Sequence, residues 1–354
     1  MLIIVDHTRV SRNDWREFII NHPDGTIFHT PYMFDVFLKA KDYKPFALFA
    51  LNEGKIVGVF TGFVQAIGIK LFSRFTNRAV AMQTPLFLNQ GALDALLNHY
   101  NKYFGNKVVY TEIRNHVDTK LVSNVFKKYR YEYEPHLDIL MDLTSPEEDI
   151  LNRMASTRRK QINRGYKRGL EVKVIDNDDS ISINECFNIV CSLYEKLGLP
   201  KPDINMIMAA FSDSTTEAHP ICFAAWYQGQ IIGTRMVLCY HDRLYDWYAA
   251  SIEEHYDKYP NDILPVEVLK WGHSNGFRVF DFGGAGKPGI PYGVRDYKLK
   301  FGGELVEYGR YQYAKSSFRL WIAQTGFYLL RKVINTLHRL QSCGAGRHCA
   351  LEKK

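Results

Sequence analysis

Between Phe280 and Tyr313 the chain gathers residue types that can handle protons and anions: FDFGGAGKPGIPYGVRDYKLKFGGELVEYGRYQY. An apolar strand ends on Asp281, a carboxylate able to act as a base, to orient an amine, or simply to cap the turn that follows. Gly283, Gly284, Gly286, Gly289 and Gly293 then allow sharp, close-approaching backbone, and Pro288 and Pro291 stiffen it. Lys298 could stabilise oxyanion or phosphate charge, Lys287 and Arg295 could anchor an anion, and Tyr292 could pack on a substrate. Tyr297 reads as core. Asp246 and Tyr248, on an earlier strand, could line the same cleft, although sheet packing is the simpler reading.

A second concentration is cationic. Arg153, Arg158, Arg159, Lys160, Arg164, Lys167 and Arg168 fall on one helical pattern that holds no acidic residue after Arg153. Such like charges repel by a few tenths of a kcal/mol per i,i+4 pair, which an anionic, phosphate-bearing partner would relieve. Arg158, Arg159 and Arg164 are the expected phosphate anchors; a solvated face at a helix C-terminus is the alternative.

The elements that must position these groups occur twice. ALFALNEGKIVG (47–58) and CFAAWYQGQIIG (222–233) share an apolar strand, a turn with glycine at Gly54 and Gly229, and a second strand with glycine at the same place. A strand and two helical patterns precede each hairpin, near 2–5, 11–21 and 31–41 in the first copy and near 170–175, 180–197 and 203–212 in the second. After each comes a strand, a helix and a strand, with helices near 91–104 and 262–275. The pattern predicts an α+β (mixed α/β) fold with module one at 1–144 and module two at 145–313. Ser145-Pro146-Glu147-Glu148 predicts a capped start for one long basic helix ending at Gly169, so the modules should pack rigidly and share one cleft. Module one has an ordinary helix near 118–128 where module two has the glycine-rich loop.

Residues 314–354 form the remainder. Phe318, Trp321, Ile322, Leu329, Val333, Leu337 and Leu340 recur at helical spacing among cations, predicting a basic amphipathic helix over 316–340. It could dock on module two or lie on an anionic membrane surface. Cys343, His348 and Cys349 have no metal-ligand spacing, and the six cysteines show no CxxC, so neither a metal nor a disulfide framework is expected. No secretory or membrane-spanning run is read, which points to the cytoplasm, with the inner membrane face open to the C-terminal helix.

STRRKQINRGYKRGLEV, FDFGG, the Tyr297-Lys298 pair and the FGG before the last strand resemble the FemAB family of peptidoglycan-bridge aminoacyltransferases, over about residues 1–313. The resemblance implies a tandem duplication of a GNAT-like (acyl-CoA N-acyltransferase-like) module. It further implies attack of an amine of a cell-envelope precursor, a peptidoglycan peptide or a polysaccharide sugar, on an activated acyl group. Asp281 would be the base or amine-orienting group and Lys298 the oxyanion donor. No tightly bound cofactor is expected, and the donor would be an aminoacyl-tRNA or an acyl-CoA. Against acyl-CoA, the stretch Ala250-Ser251-Ile252-Glu253-Glu254-His255-Tyr256 lacks the glycine-rich turn that cradles pyrophosphate. Against tRNA, no inserted coiled-coil arm is visible. Two other readings stay open: a CoA-dependent N-acyltransferase for an amino sugar, and a non-catalytic RNA-binding protein. Phosphate-loop, zincin and nucleophile-elbow motifs are missing from the sequence.

Overall fold

The computed structural model describes residues 2–65, 76–105, 107–323 and 325–326. Two near-identical hairpins seed it: Tyr43–Asn52 (β2) returns as Lys55–Gln65 (β3), and Ala218–Tyr227 (β10) returns as Gln230–Tyr240 (β11). Glu53 and Gly54 stand at φ 50° and 79°, Gln228 and Gly229 at 51° and 80°. This is the mirror-image turn whose twist suits paired strands. Each ladder then slips by a residue, between Ala50 and Leu51 and between Ala225 and Trp226. At both slips a glycine admits a close neighbour: a Cβ on Gly58 would lie 3.0 Å from Leu96 Cδ1, and one on Gly233 2.6 Å from Ser251 Oγ. One hairpin design is used twice.

Around the first hairpin lie Leu2–Asp6 (β1), Arg12–Asn21 (α1), Pro31–Lys39 (α2), Arg78–Ala81 (β4), Leu86–Phe87 (β5), Gln90–Tyr103 (α3), Thr111–Arg114 (β6), Ser123–Lys128 (α4), Glu132–Glu134 (β7) and Leu137–Asp142 (β8). Glu147–Asn152 (α5) and Ser156–Lys167 (α6) lead on. The second set is Glu171–Ile175 (β9), Ser180–Lys196 (α7), Ile204–Ser212 (α8), Arg243–Ser251 (β12), Pro260–Ser274 (α9), Val279–Gly284 (β13), Gly293–Leu299 (α10), Glu304–Glu307 (β14) and Arg310–Tyr313 (β15). Local chemistry explains the helix starts: Ser11, Thr30, Asn89, Asp179 and Asp203 each accept a first-turn N–H, and Pro31 follows its cap directly.

The two sheets run β1-β2-β3-β4-β6-β15-β7, with β5 beside β3, and β14-β8-β13-β12-β11-β10-β9. They exchange strands. β8, which precedes residue 144, pairs with β13 and β14 in the second sheet, and β15 inserts between β6 and β7 in the first. Sheet boundaries therefore do not follow a chain division at 144/145. Apolar packing ties the halves further. Leu93, Leu96 and Tyr100 of α3 cover one face of the first sheet, and Ile263, Leu264 and Leu269 of α9 cover the second. Between the sheets one shared core joins Trp15, Phe34 and Phe37 to Ile207, Phe211 and Met236. Tyr32 donates to the Ala210 carbonyl at 2.6 Å across it.

Three expectations need correction. The basic helix is not continuous from 145 to 169, because it breaks over 153–155 between α5 and α6. Pro146 occupies the cap position rather than the first turn, and the Ser145 hydroxyl donates to Asp142 instead of capping. The glycine-rich loop is not free of helix: α10 occupies its second half, so the two copies are more alike than their sequences suggest. Of the expected C-terminal helix, residues 317–323 and 325–326 are helical, while 324 and everything from 327 onward lie outside the described residues.

The exchanged strand makes a direct prediction. Tyr311 of β15 is 2% exposed and stacks on Phe126 of α4 at 3.9 Å between ring centroids. Tyr311→Ala should lower unfolding free energy by about 3 kcal/mol, measured by denaturant titration. A change within experimental error would show that the first sheet does not depend on β15.

Candidate active site

The site follows from how parallel strands part. β12 and β13 pair only at Arg243–Val279, Leu244–Phe280 and Tyr245–Asp281, after which β13 bulges between Asp281 and Gly283 and turns to β8. Beyond Tyr245 the β12 edge has no strand partner on that side among the described residues. A cleft of about 730 Å³ fills the opening, walled by α6, the end of α7, the start of α9, and α10.

Its polar floor is a set of buried charges. Arg235 of β11 and Asp246 of β12 form an ion pair at 2.8 Å, their side chains 6% and 14% exposed. Asp246 Oδ1 and Arg235 Nε are buried without a hydrogen-bond partner among the described residues. Lys298 of α10 donates to the carbonyls of Phe282, at 2.5 Å, and Gly284, at 3.1 Å, so its ammonium sits on the bulge. Burial pulls the Lys298 ammonium below the ordinary lysine range, against the attraction of Asp246. Phe282 lies beneath both cations, with Arg235 at 5.1 Å and Lys298 at 5.3 Å from its ring centre. Leu193, Leu197, Leu199 and Tyr256 make the opposite wall apolar.

A second, smaller cleft of about 240 Å³ lies between the two sheets. Module one supplies Phe28, Met82, Gln83, Arg114, Asn115 and His116; β8, β12 and β13 supply Asp138, Tyr245, Asp246, Trp247, Asp281, Gly283 and Gly284. Asp246 borders both clefts. Asp281 Oδ1 accepts the Gly283 N–H at 2.8 Å, and Oδ2 lies 4.0 Å from Arg243. Burial raises the Asp281 carboxyl, with Arg243 and the Gly283 N–H opposing. Asp138 is pushed up to about 7, first by burial and then by the charge of Asp281. The expected single cleft is thus two, with Lys298 in one and Asp281 in the other.

Of the remaining expected residues, Arg158 and Tyr297 line the larger cleft and the others scatter. Arg158 is buried, ion-paired with Asp262 and laid over the Tyr297 and Phe301 rings at 4.8 and 4.7 Å. Arg159 donates to Asn152, and Arg164 is exposed on α6; neither lines either of these two clefts. Lys287 pairs with Glu134 at 3.1 Å on the surface, and Tyr292 covers Gly286 with 41% of its surface exposed. Arg295 clamps the loop by donating to the carbonyls of Ala285, Lys287 and Ile290. Tyr248 and Tyr297 pack into cores, and Tyr297 also donates to the Asn261 carbonyl.

The connection before α9 is not an anion cradle. Glu253–Lys258 form a 3-10 turn with two acids at its start, Glu253 is paired with Lys196, and Pro260 brings no N–H. Asp262, in the first turn of α9, already faces that helix end and is neutralised by Arg158. Among the described residues no cluster of metal-ligating side chains occurs, and no helix is long and apolar enough to cross a membrane.

A mixed sheet splayed at one parallel pair, duplicated along the chain, is the architecture of a tandem GNAT protein, and residues 155–299 match the family model "Acetyltransferase (GNAT) domain". Residues 155–299 are thus a GNAT-type acyltransferase domain, and the chain as a whole has the tandem fold seen in FemX. A crystal structure of FemX aligns with a TM-score of 0.67 at 14% identity, over 86% of this chain and 96% of FemX. The C-terminal domain of a putative lysylphosphatidylglycerol synthetase from Agrobacterium fabrum aligns at 0.57 and 12% identity, over 90% and 96% of the two chains. A tandem GNAT protein from the clavulanic acid biosynthesis pathway aligns at 0.56 and 8%, over 89% and 99%. Such identities speak for shared fold. No curated protein matches the chain in sequence.

Arg158 and Asp262 supply a stability test. Asp262→Ala leaves a buried guanidinium without its counter-charge and should cost about 3–5 kcal/mol. A double change, Arg158→Met with Asp262→Leu, should recover most of that loss in thermal unfolding. If the single change costs nothing, the pair is not a structural strut.

Proposed function

We propose that this protein forms an amide bond by transferring an acyl group, an aminoacyl group in the leading reading, onto an amine of a cell-envelope precursor. The observation that carries the reading is the placement of Asp246 on both clefts: an acyl donor in the larger and an amine from the smaller would meet over β13. Lys298 would stabilise the oxyanion, since a fixed and largely buried ammonium acts more strongly than one in bulk solvent. Asp281 would orient the amine. Cations of α6, half-buried Arg159 and exposed Arg164 among them, would hold phosphates of the donor.

The donor reading follows from the connection before α9. A carboxylate stands where a CoA pyrophosphate would be cradled, which favours an aminoacyl ester over an acyl-CoA thioester. The FemAB-like resemblance points to a peptidoglycan peptide as acceptor. The GNAT domain match keeps a CoA-dependent N-acyltransferase for an amino sugar as the second reading.

Purified protein incubated with aminoacyl-tRNA or acyl-CoA thioesters, and with peptidoglycan precursors or nucleotide-linked amino sugars, should give an acceptor heavier by one acyl unit. Mass spectrometry reads the product. Lys298→Ala should lower kcat by about 10²–10³-fold with little change in KM, and full activity would reject the assignment. Arg159→Gln with Arg164→Gln should weaken donor binding several-fold and flatten its salt dependence; unchanged affinity would return α6 to a solvated surface.

A further inference from the structure

β8 and β13 place Asp138 directly opposite Gly284 in an antiparallel register. A residue with a side chain at 284 would occupy the space that the carboxylate faces: a Cβ there would lie 3.8 Å from Asp138 Oδ1, 3.4 Å from His136 Nε2 and 3.7 Å from Arg310 Nη2. On the other side of the same backbone, Lys298 donates to the Gly284 carbonyl at 3.1 Å, and a Cβ on Gly283 would lie 4.0 Å from its Nζ. Backbone alone therefore separates Asp138 from Lys298. Asp138 makes no hydrogen bond or ion pair of its own among the described side chains, whereas Asp281 is committed to the Gly283 N–H and to Arg243. Gln83, 7% exposed, turns an unpartnered Oε1 into the same cleft. Asp138, Asp246, Asp281 and this carbonyl oxygen line one cleft with Arg114 and Arg310, a setting rich in acceptors for a primary ammonium.

We propose that Asp138 takes the proton of the incoming amine across the gap at Gly284, a step that rests on the amide-forming reading above. The ammonium enters between the sheets, held by Asp281 and Gln83, and gives one proton to the Asp138 carboxylate. Its freed lone pair attacks the acyl carbonyl beside Lys298; a C–N bond forms and the carbonyl electron pair moves onto oxygen. Collapse breaks the C–O or C–S bond to the donor, the amine's second proton goes to that leaving atom, and Asp138 returns its proton to solvent. Burial and Asp281 favour the protonated acid, while Arg310, Lys298 and Arg114 oppose it; Asp246 lines the same cleft, and Arg243 lies 4.0 Å from Asp281. His136, held largely neutral by burial, Glu112, itself paired with Arg114 and Arg310, and Tyr308 complete the surroundings. The carboxyl pushed up to about 7 suits a base working near neutrality.

Protein labelled with [4-13C]aspartate tests the proton site without any donor. The resonance missing from Asp138→Asn should titrate near neutrality in the unmodified protein and move down in Asp281→Asn. A titration in the ordinary carboxylate range overturns the proposal. A raised folded pKa means stability falls as pH climbs from about 4 to about 7, so Asp138→Asn should be as stable as the unmodified protein at pH 8, or more so. With the donor found in the screen, Asp138→Asn should slow transfer to Nα-acetyl-lysine amide by about 10²-fold or more and abolish the rise of rate through neutral pH. Transfer to hydroxylamine, already unprotonated there, should survive. Equal loss for both amines, or loss for neither, overturns the base assignment. No transfer to any amine by the unmodified protein defeats the amide-forming reading itself, an outcome the labelled titration keeps separate.

Discussion

The structure turns on a parallel pairing that lasts three residues. β12 and β13 share rungs from Arg243 to Tyr245 and then separate. Neighbouring strands stand about 4.8 Å apart, too close for a ligand, so a cleft inside a sheet needs the ladder to stop. Here the bulge between Asp281 and Gly283 stops it and hands β13 to β8 instead. The first module repeats the device. β4 and β6 pair in parallel from Ala79–Thr111 to Ala81–Ile113 and then part, and the residues just beyond, Met82, Gln83, Arg114 and Asn115, line the cleft between the sheets. One copy of the splay opens a substrate-sized cavity; the other becomes the far wall of the second cleft.

Burying Arg235, Asp246, Lys298, Asp281 and Asp138 together is costly in isolation, because charges lose hydration that only close partners restore. The arrangement survives because the surroundings over-determine it. α3 and α9 pack the outer faces, the shared core fixes the angle between sheets, and the strand exchange prevents the halves from relaxing apart. Rigid polar groups in a dry setting need little reorganisation when charge develops, which is where such a site gains its effect. The orphaned oxygens of Gln83 and Asp246 are consistent with that logic: each is an acceptor held ready, not a packing failure.

Much of this was legible in the residues. The hairpin repeat and most of the helices appear where periodicity and turn chemistry put them, whereas the strand expected to end at Asp281 and Phe282 runs on to Gly284. The site was harder. Arg235 interrupts the apolar run IIGTRMVLCY, and a lone cation inside a buried strand is a signal that could have been read. Asp138 carries no such mark: in HLDILMD it falls at an alternate, outward-looking position, as a solvated residue would. Its burial comes from β13 and β15, far away in sequence. The Arg-rich helix misled in the opposite direction, since charge density alone does not say which guanidinium is already spent; Arg158 is, on Asp262.

On the proposed reading, the exchange of β8 and β15 means that the chemistry does not belong to one module. Asp138 is carried by a strand encoded in the first half yet hydrogen-bonded into the second sheet, opposite Gly284. Arg310, carried by the second half, sits in the first sheet, donates to His136 and lies beside Glu112. Each sheet thus places one of its borrowed residues at the boundary, and the two borrowed strands fix the spacing between the clefts. A single module, even correctly folded, would hold Lys298 without Asp138 or Gln83 without Asp281. Duplication alone supplies two equivalent splays; the swap of strands is what makes them face a common wall of backbone, across which the proposed reading has two substrates meet.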